Sequence, residues 1–260
     1  LGAVNPASFF LEVIMALTAE QDLHNTALGL IGEYEITESD TSSKQYKRCV
    51  QFYDIARNRT LVSHWWNEAE ETVIIPQEQY GDIFNYTYKY ALPSDCLKAK
   101  DIGEYKYDWE VKGGYILTDY SRTPATWTAG TVYIAGQYVS LSDITYRCNV
   151  SHTSATATSP ATDVVTWTTA GGDYNVIDFS YIKELTDVSL FSPMLYQAIA
   201  YRLAILVVVP LTGDMGNKGS LLQEYNQIVM PQARSIDAMQ GKPKKLIVSP
   251  NSWRRSRNFG

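Results

Sequence analysis

Three histidines, His24, His64 and His152, are the natural candidates for metal ligands. They are scattered and have no Cys or His neighbour at ligand spacing, so no metal is expected, and His24 and His64 read as structural. Cys49, Cys96 and Cys148 lie far apart with no CxxC spacing, and an odd count rules out a full disulfide framework. Cys49 reads as a buried helix residue and Cys148 as part of a strand. A glycosidase needs two carboxylates facing each other across a cleft. Glu68, Glu70 and Glu71 are acidic, but they crowd together beside Trp66 and read as a solvated helix end. Gly213 to Gly219 has glycine spacing yet follows a helix, the wrong context for a phosphate loop. No Gly-x-Ser-x-Gly elbow occurs. These residues predict neither a catalytic site nor a cofactor.

Binding chemistry has a better candidate. Residues 121–170 carry only four charges, Arg122, Asp143, Arg147 and Asp163, and are crowded with Thr, Ser and Ala. Trp127, Tyr133, Tyr138, Tyr146 and Trp167 punctuate the stretch. Flat aromatic rings suit the apolar faces of sugars. The same residues also suit the core of a very small fold, with Trp127 and Trp167 mostly inside. Short strands are predicted at Val132–Tyr133, Tyr138–Val139 and Tyr146–Cys148. Trp127, Tyr133, Gly136, Tyr138–Val139, Tyr146, His152, Ser154, Pro160 and Trp167 resemble, in order, the small carbohydrate-binding modules of chitinase type. The resemblance covers this insert only, and it implies a glycan or another protein as the partner.

The elements around the insert follow from local signals. Thr18 and Gln21 have capping-box spacing, which places a helix start near Thr18. Leu23, Ala27, Leu30 and Ile31 share a face, and Gly32 is a stop. Asp40 to Ser43 cap a second helix whose apolar face is Tyr46, Cys49, Val50, Tyr53 and Ala56. The period then changes. Thr72–Ile75 reads as a strand ended by Pro76, and Tyr86–Tyr90 as a half-exposed strand. Tyr105–Val111 and Tyr115–Thr118 form a hairpin about Gly113–Gly114, and Tyr174–Ile182 is a further strand. Ser192–Pro193 opens a helix that is apolar on most sides and is expected to end at Pro210. Gly213 to Gly219 is a loop. Leu221 to Ile236 is a long amphipathic helix kinked by Pro231. The class is α+β: a bundle of about four helices, an antiparallel β-region and an inserted small all-β domain.

Asn25 to Glu33, Asp40, Cys49, Tyr53–Asp54, Ala56–Arg57, Leu61 and His64 to Asn67 resemble the tail tubular protein A family of short-tailed bacteriophages. The resemblance covers roughly residues 15–120 and 173–240. It implies a head–tail adaptor: a homo-oligomeric ring of about twelve subunits between the portal and the tail nozzle, through which double-stranded DNA passes. The expected division is an N-terminal arm at 1–14, a discontinuous core at 15–122 and 172–241, the insert at 123–171, and a basic docking tail at 242–260. The implied location is the virion neck, assembled in the host cytoplasm. A carbohydrate-binding tail component is the alternative, and a peptidoglycan hydrolase a more distant one.

Charge is unevenly spread. The last twenty residues contain Lys242, Lys244, Lys245, Arg254, Arg255 and Arg257 and no acid, so a net charge of −6 leaves −12 on residues 1–240. An acidic body argues against sequence-specific nucleic-acid reading, which needs a basic face. It suits a channel along which DNA slides without adhering. With Trp253 and Phe259 as anchors, the tail reads as a peptide that docks on the portal or a neighbouring subunit. No secretory signal is expected, since Lys44 is the first basic residue and Glu12 interrupts Phe9–Leu17. Leu195–Pro210 carries Gln197, Tyr201 and Arg202 and reads as too short to cross a membrane.

Overall fold

The computed structural model describes residues 6–37, 40–103, 107–155, 159–171 and 175–240. Residues 1–5, the basic tail at 242–260, Tyr105 and Tyr174 lie outside this set, as do the side chains of Phe9, Phe10, Val13 and Ile14.

The chain is α+β. Helices α1 (Pro6–Ile31) and α2 (Lys44–Val62) come first. Strands β1 (Glu70–Ile83), β2 (Tyr86–Ala91), β3 (Cys96–Asp101), β4 (Trp109–Lys112) and β5 (Tyr115–Thr118) follow. After the insert, β12 (Val176–Lys183) returns to the same sheet, which has the order β3-β12-β1-β2-β5-β4 with every neighbour antiparallel. Helix α3 (Pro193–Thr212), α4 (Met215–Glu224), a π turn over Tyr225–Val229 and α5 (Met230–Met239) complete the described chain.

Local chemistry sets the helix ends. The Ser43 hydroxyl accepts from Tyr46 N and opens α2; the Ser192 hydroxyl accepts from Leu195 N and opens α3, with Pro193 in the first turn. Gly32 adopts φ 75°, and Gly32 N and Glu33 N donate back to the carbonyls of Gly29 and Leu28. That paired bond satisfies carbonyls the helix would otherwise orphan.

Several boundaries differ from those expected. Helix α1 runs through Thr18 from Pro6, because Met15-Ala16-Leu17 are helix formers and nothing there breaks the ladder. Pro210 lies within α3; the stop is Gly213, left-handed at φ 73°, whose N–H reaches Val209 O. The expected loop at 213–219 is mostly helix α4, started by the Asp214 carboxylate, which accepts from Gly216 N and Asn217 N. The long C-terminal helix is two α segments joined by a π turn. Pro231 therefore falls in the first turn of α5, where its missing donor costs least. Strand β4 begins at Trp109, and β1 continues past Pro76 to Ile83.

The helices share one core. Leu23, Ala27 and Leu28 of α1, Cys49, Ala56 and Leu61 of α2, and Leu221, Val229 and Ala233 near the C-terminus pack around α3, joined by Trp66 and Ile182. Helix α3 is long and apolar enough to cross a membrane, longer than expected because Pro210 does not end it. Its neighbours explain its composition, since Ala198, Ile199, Leu203, Val207 and Val208 are fully buried in the bundle. A second core, with Ile75, Tyr90, Ile116, Ile177 and Phe179, lies on the six-stranded sheet.

His24 is buried between α1 and α2, edge-on to Tyr53 at 5.2 Å and 3.8 Å from Glu20. Burial holds its pKa down to about 4. The unfolded chain protonates this ring near pH 6.5, while the folded chain resists until about pH 4. Stability from this group is therefore fully present above pH 6.5 and declines as pH falls to 4, on the order of 1.4 kcal/mol per pH unit. Glu20 opposes the trend near the acid end, because burial and then the Asp54 charge raise its pKa. The melting temperature of the native chain should fall between pH 6.5 and 4, and His24→Leu should flatten that fall. An unchanged slope would remove His24 from the account.

Candidate functional site

Two places gather the residues singled out in the sequence. The first is the joint between the N-terminal helices and the C-terminal helix. Asp237 on α5 is buried, and its carboxylate accepts from Asn67 N (3.1 Å) and Asn67 Nδ2 (3.0 Å) and contacts His64 Nε2 (2.9 Å). Asn67 Nδ2 also donates to Asp237 O at 2.7 Å, and Arg234 Nη2 to Ser63 O. Beside this clasp Trp66 is fully buried, with Nε1 donating to Thr60 O at 2.9 Å. One turn back, buried Arg57 pairs with Glu184 (2.5 Å) and Asp54 (2.9 Å). The Asn58 side-chain hydrogen bond, and then the Arg57 guanidinium, hold the Glu184 carboxyl below its ordinary range. Asn25 spans the gap to the next segment, with Oδ1 accepting from Ile36 N and Nδ2 donating to Ile36 O.

The acidic trio beside Trp66 is not a solvated helix end. Glu68 accepts from Ser192 N, Glu70 pairs with Lys100 and Glu71 with Lys183. These carboxylates start β1 and tie it to β3, β12 and α3. Among the described residues, no group of three His, Cys, Asp or Glu is placed to hold a metal ion.

The second place is the insert. A four-stranded sheet, β11-β9-β8-β6, is built from β6 (Ala125–Thr126), β8 (Tyr138–Leu141), β9 (Ile144–Cys148) and β11 (Trp167–Gly171). The short strands β7 (Val132–Tyr133) and β10 (His152–Thr153) pair beside it. Its core is Tyr133, Val139, Tyr146, Cys148 and Trp167. Tyr133 and Trp167 meet edge to face at 5.2 Å, and His152 meets Trp167 at 5.3 Å. The Tyr133 hydroxyl accepts from Thr128 N and donates to Thr128 O, closing the first loop. Three of the five aromatic candidates, Tyr133, Tyr146 and Trp167, therefore hold the module together. Trp127 is half-buried on the rim of that core, with Nε1 enclosed and without a hydrogen-bond partner among the described residues. Tyr138 is half-buried opposite Arg147, its pKa raised by burial. The docking candidates Lys242, Lys244, Lys245, Trp253, Arg254, Arg255, Arg257 and Phe259 lie outside the described residues.

What the sequence reading missed is aliphatic. Val132, Ile134, Val150, Val164 and Val165 are exposed, between 54% and 81%. Four of them flank paired backbone in two places. Val132 and Ile134 flank inward-facing Tyr133, and the Asn149 N to Thr166 O bond sets Val150 near Val165. The alternation Val-Tyr-Ile was a legible signal for one buried and two exposed positions.

Residues 126–169 match carbohydrate-binding module family 5/12. The chain thus carries a module of that family between its fifth and twelfth strands, and the match does not extend to the helices or the six-stranded sheet. No curated protein matches the chain.

Proposed function

We propose that the chain is a structural virion protein: a ring-forming head–tail adaptor of a short-tailed bacteriophage that links the portal to the tail nozzle and forms part of the DNA channel. The observation that carries this reading is where the resembling residues sit. Arg57 and Asn67 join parts of the fold that are distant in sequence, while Asn25 ties α1 to the segment at Ile36 and Trp66 ties the turn after α2 back to Thr60, so the order and spacing of that run describe a whole architecture rather than a short motif. Copies of the chain would meet through apolar side chains left on the outside of the bundle, among them Val50, Ile55 and Val62 on α2 and Leu222 and Ile228 toward the C-terminus. The −12 on residues 1–240 suits a lumen that repels phosphate. The role is non-catalytic, and the chain sits in the virion neck without membrane insertion. The tail from Lys242 to Phe259 docks on the portal or a neighbouring subunit. Deleting residues 242–260 should leave a folded protein that no longer co-sediments with portal; unchanged binding refutes the tail assignment.

A second reading makes the insert a carbohydrate-binding tail component, and the family 5/12 match favours it. With three rings in the core, stacking on a sugar falls to Trp127 and Tyr138. Glycan-array binding by the full chain, lowered at least ~10-fold by Tyr138→Ala, would support this reading. An array with no signal would contradict it.

A further inference from the structure

Strand β1 changes partner along its length. Glu70–Pro76 pairs with β12, and only from Gln77 onward does β2 take the opposite edge. Over Glu70–Pro76 the β2-side edge has no strand beside it among the described residues. Lys183 N donates to Ala69 O and Gln77 N to Asn175 O, so the odd residues of β1 bond to β12. In an antiparallel pair the alternate residues point their main-chain groups the other way. Thr72 and Ile74 therefore turn N–H and C=O to the open edge. Pro76 fits the same phase, since its missing donor faces away from β12. A groove of about 770 Å³ runs along this edge, with Glu71–Ile74 on one wall and Ile134–Tyr138 and Arg147 of the insert on the other. It offers both unpaired main chain and apolar surface from Ile74 and Ile134.

The chain's own end supplies the occupant. Helix α5 is pinned by Asp237 to Asn67, just before Glu70, so the described chain ends at Gln240 beside the start of β1. From there the five residues 241–245, at up to about 3.3 Å each, can reach about 16 Å, as far as the five residues from Asn67 to Thr72 can span even if fully extended; residues 67–69 form a turn before β1 begins at Glu70. The next residues are Leu246-Ile247-Val248, a β-branched apolar triplet, with Lys244 and Lys245 before it. We infer that Leu246–Val248 of the same chain adds to the open edge of β1 at Thr72 and Ile74, parallel to β1, and so closes the groove under the insert. Strand addition there covers an edge that would otherwise invite pairing with other chains. It also fixes the point from which Trp253 to Phe259 leave the body. This inference stands whether or not the adaptor reading does.

Amide hydrogen exchange tests it at residue level on the full chain. Thr72 and Ile74 amides should be protected, and truncation after Gln240 should speed their exchange about 100-fold, leaving Val73 and Ile75 protected by β12. Ile247→Pro in the full chain should speed the same two amides without removing the basic tail. Equal exchange of Thr72 and Ile74 in all three proteins overturns the inference. Thr72→Cys with Ile247→Cys distinguishes the source. A disulfide within one chain on a non-reducing gel supports it, and a disulfide joining two chains overturns own-chain pairing.

Discussion

Trp66→Ala should destabilise the helical core by about 3–5 kcal/mol, the range for emptying a fully buried large aromatic site. Trp66 is 0% exposed, lies edge-on to His64 at 5.0 Å and donates to Thr60 O, a carbonyl that also accepts from Ser63 N and Oγ. Its removal leaves a cavity where α2 turns toward the sheet. A melting temperature lower by roughly 10 °C is expected at this chain length. Trp66→Phe keeps the ring contact and loses the N–H bond, so it should cost about 1–2 kcal/mol. The insert has its own core of Tyr133, Tyr146 and Trp167, so its unfolding should not shift with Trp66. A loss below 1 kcal/mol for the alanine variant would mean that this joint does not hold the bundle together.

Asp237→Ala carries the second large effect. The carboxylate is buried and satisfies the main chain and side chain of Asn67 and the ring of His64. Taking it away removes two hydrogen bonds from Asn67 to a buried carboxylate, and the contact with His64, which should cost about 2–4 kcal/mol. The lesion is local: α5 should lose exchange protection over Met230–Met239 while α2 and α3 keep theirs. Asp237→Asn retains one accepting oxygen and should fall between the two. Equal protection of α5 in wild type and Asp237→Ala would show that the apolar contacts of Met230 and Ala233 hold α5 unaided.

How legible these features were in the sequence depends on their range. Caps are local chemistry, so Ser43, Ser192–Pro193, Gly32 and the Gly113–Gly114 hairpin could be read directly. Pro210 misled because near the end of α3 it costs only one ladder bond, the one a donor at 210 would make to Leu206 O, and the helix runs on until Gly213 terminates it. Pro76 misled for a directional reason: a strand tolerates proline where the missing N–H faces no partner, and one sequence does not say which edge that is. The π turn at Tyr225–Val229 has no local signature, and the registry between α4 and α5 comes from packing on α3. Asp237 was invisible as a functional joint because its partners lie some 170 residues away. In the insert the aromatic positions were evident from composition, but whether a ring faces in or out depends on strand phase. Val132 and Ile134 around Tyr133 carried that phase.

The adaptor reading requires the chain to assemble with itself, and electron microscopy of negatively stained full-length protein, alone and mixed with portal, tests that most directly. Closed rings of about twelve copies are expected, capping the portal in the mixture. Solitary single-chain particles under both conditions would contradict it.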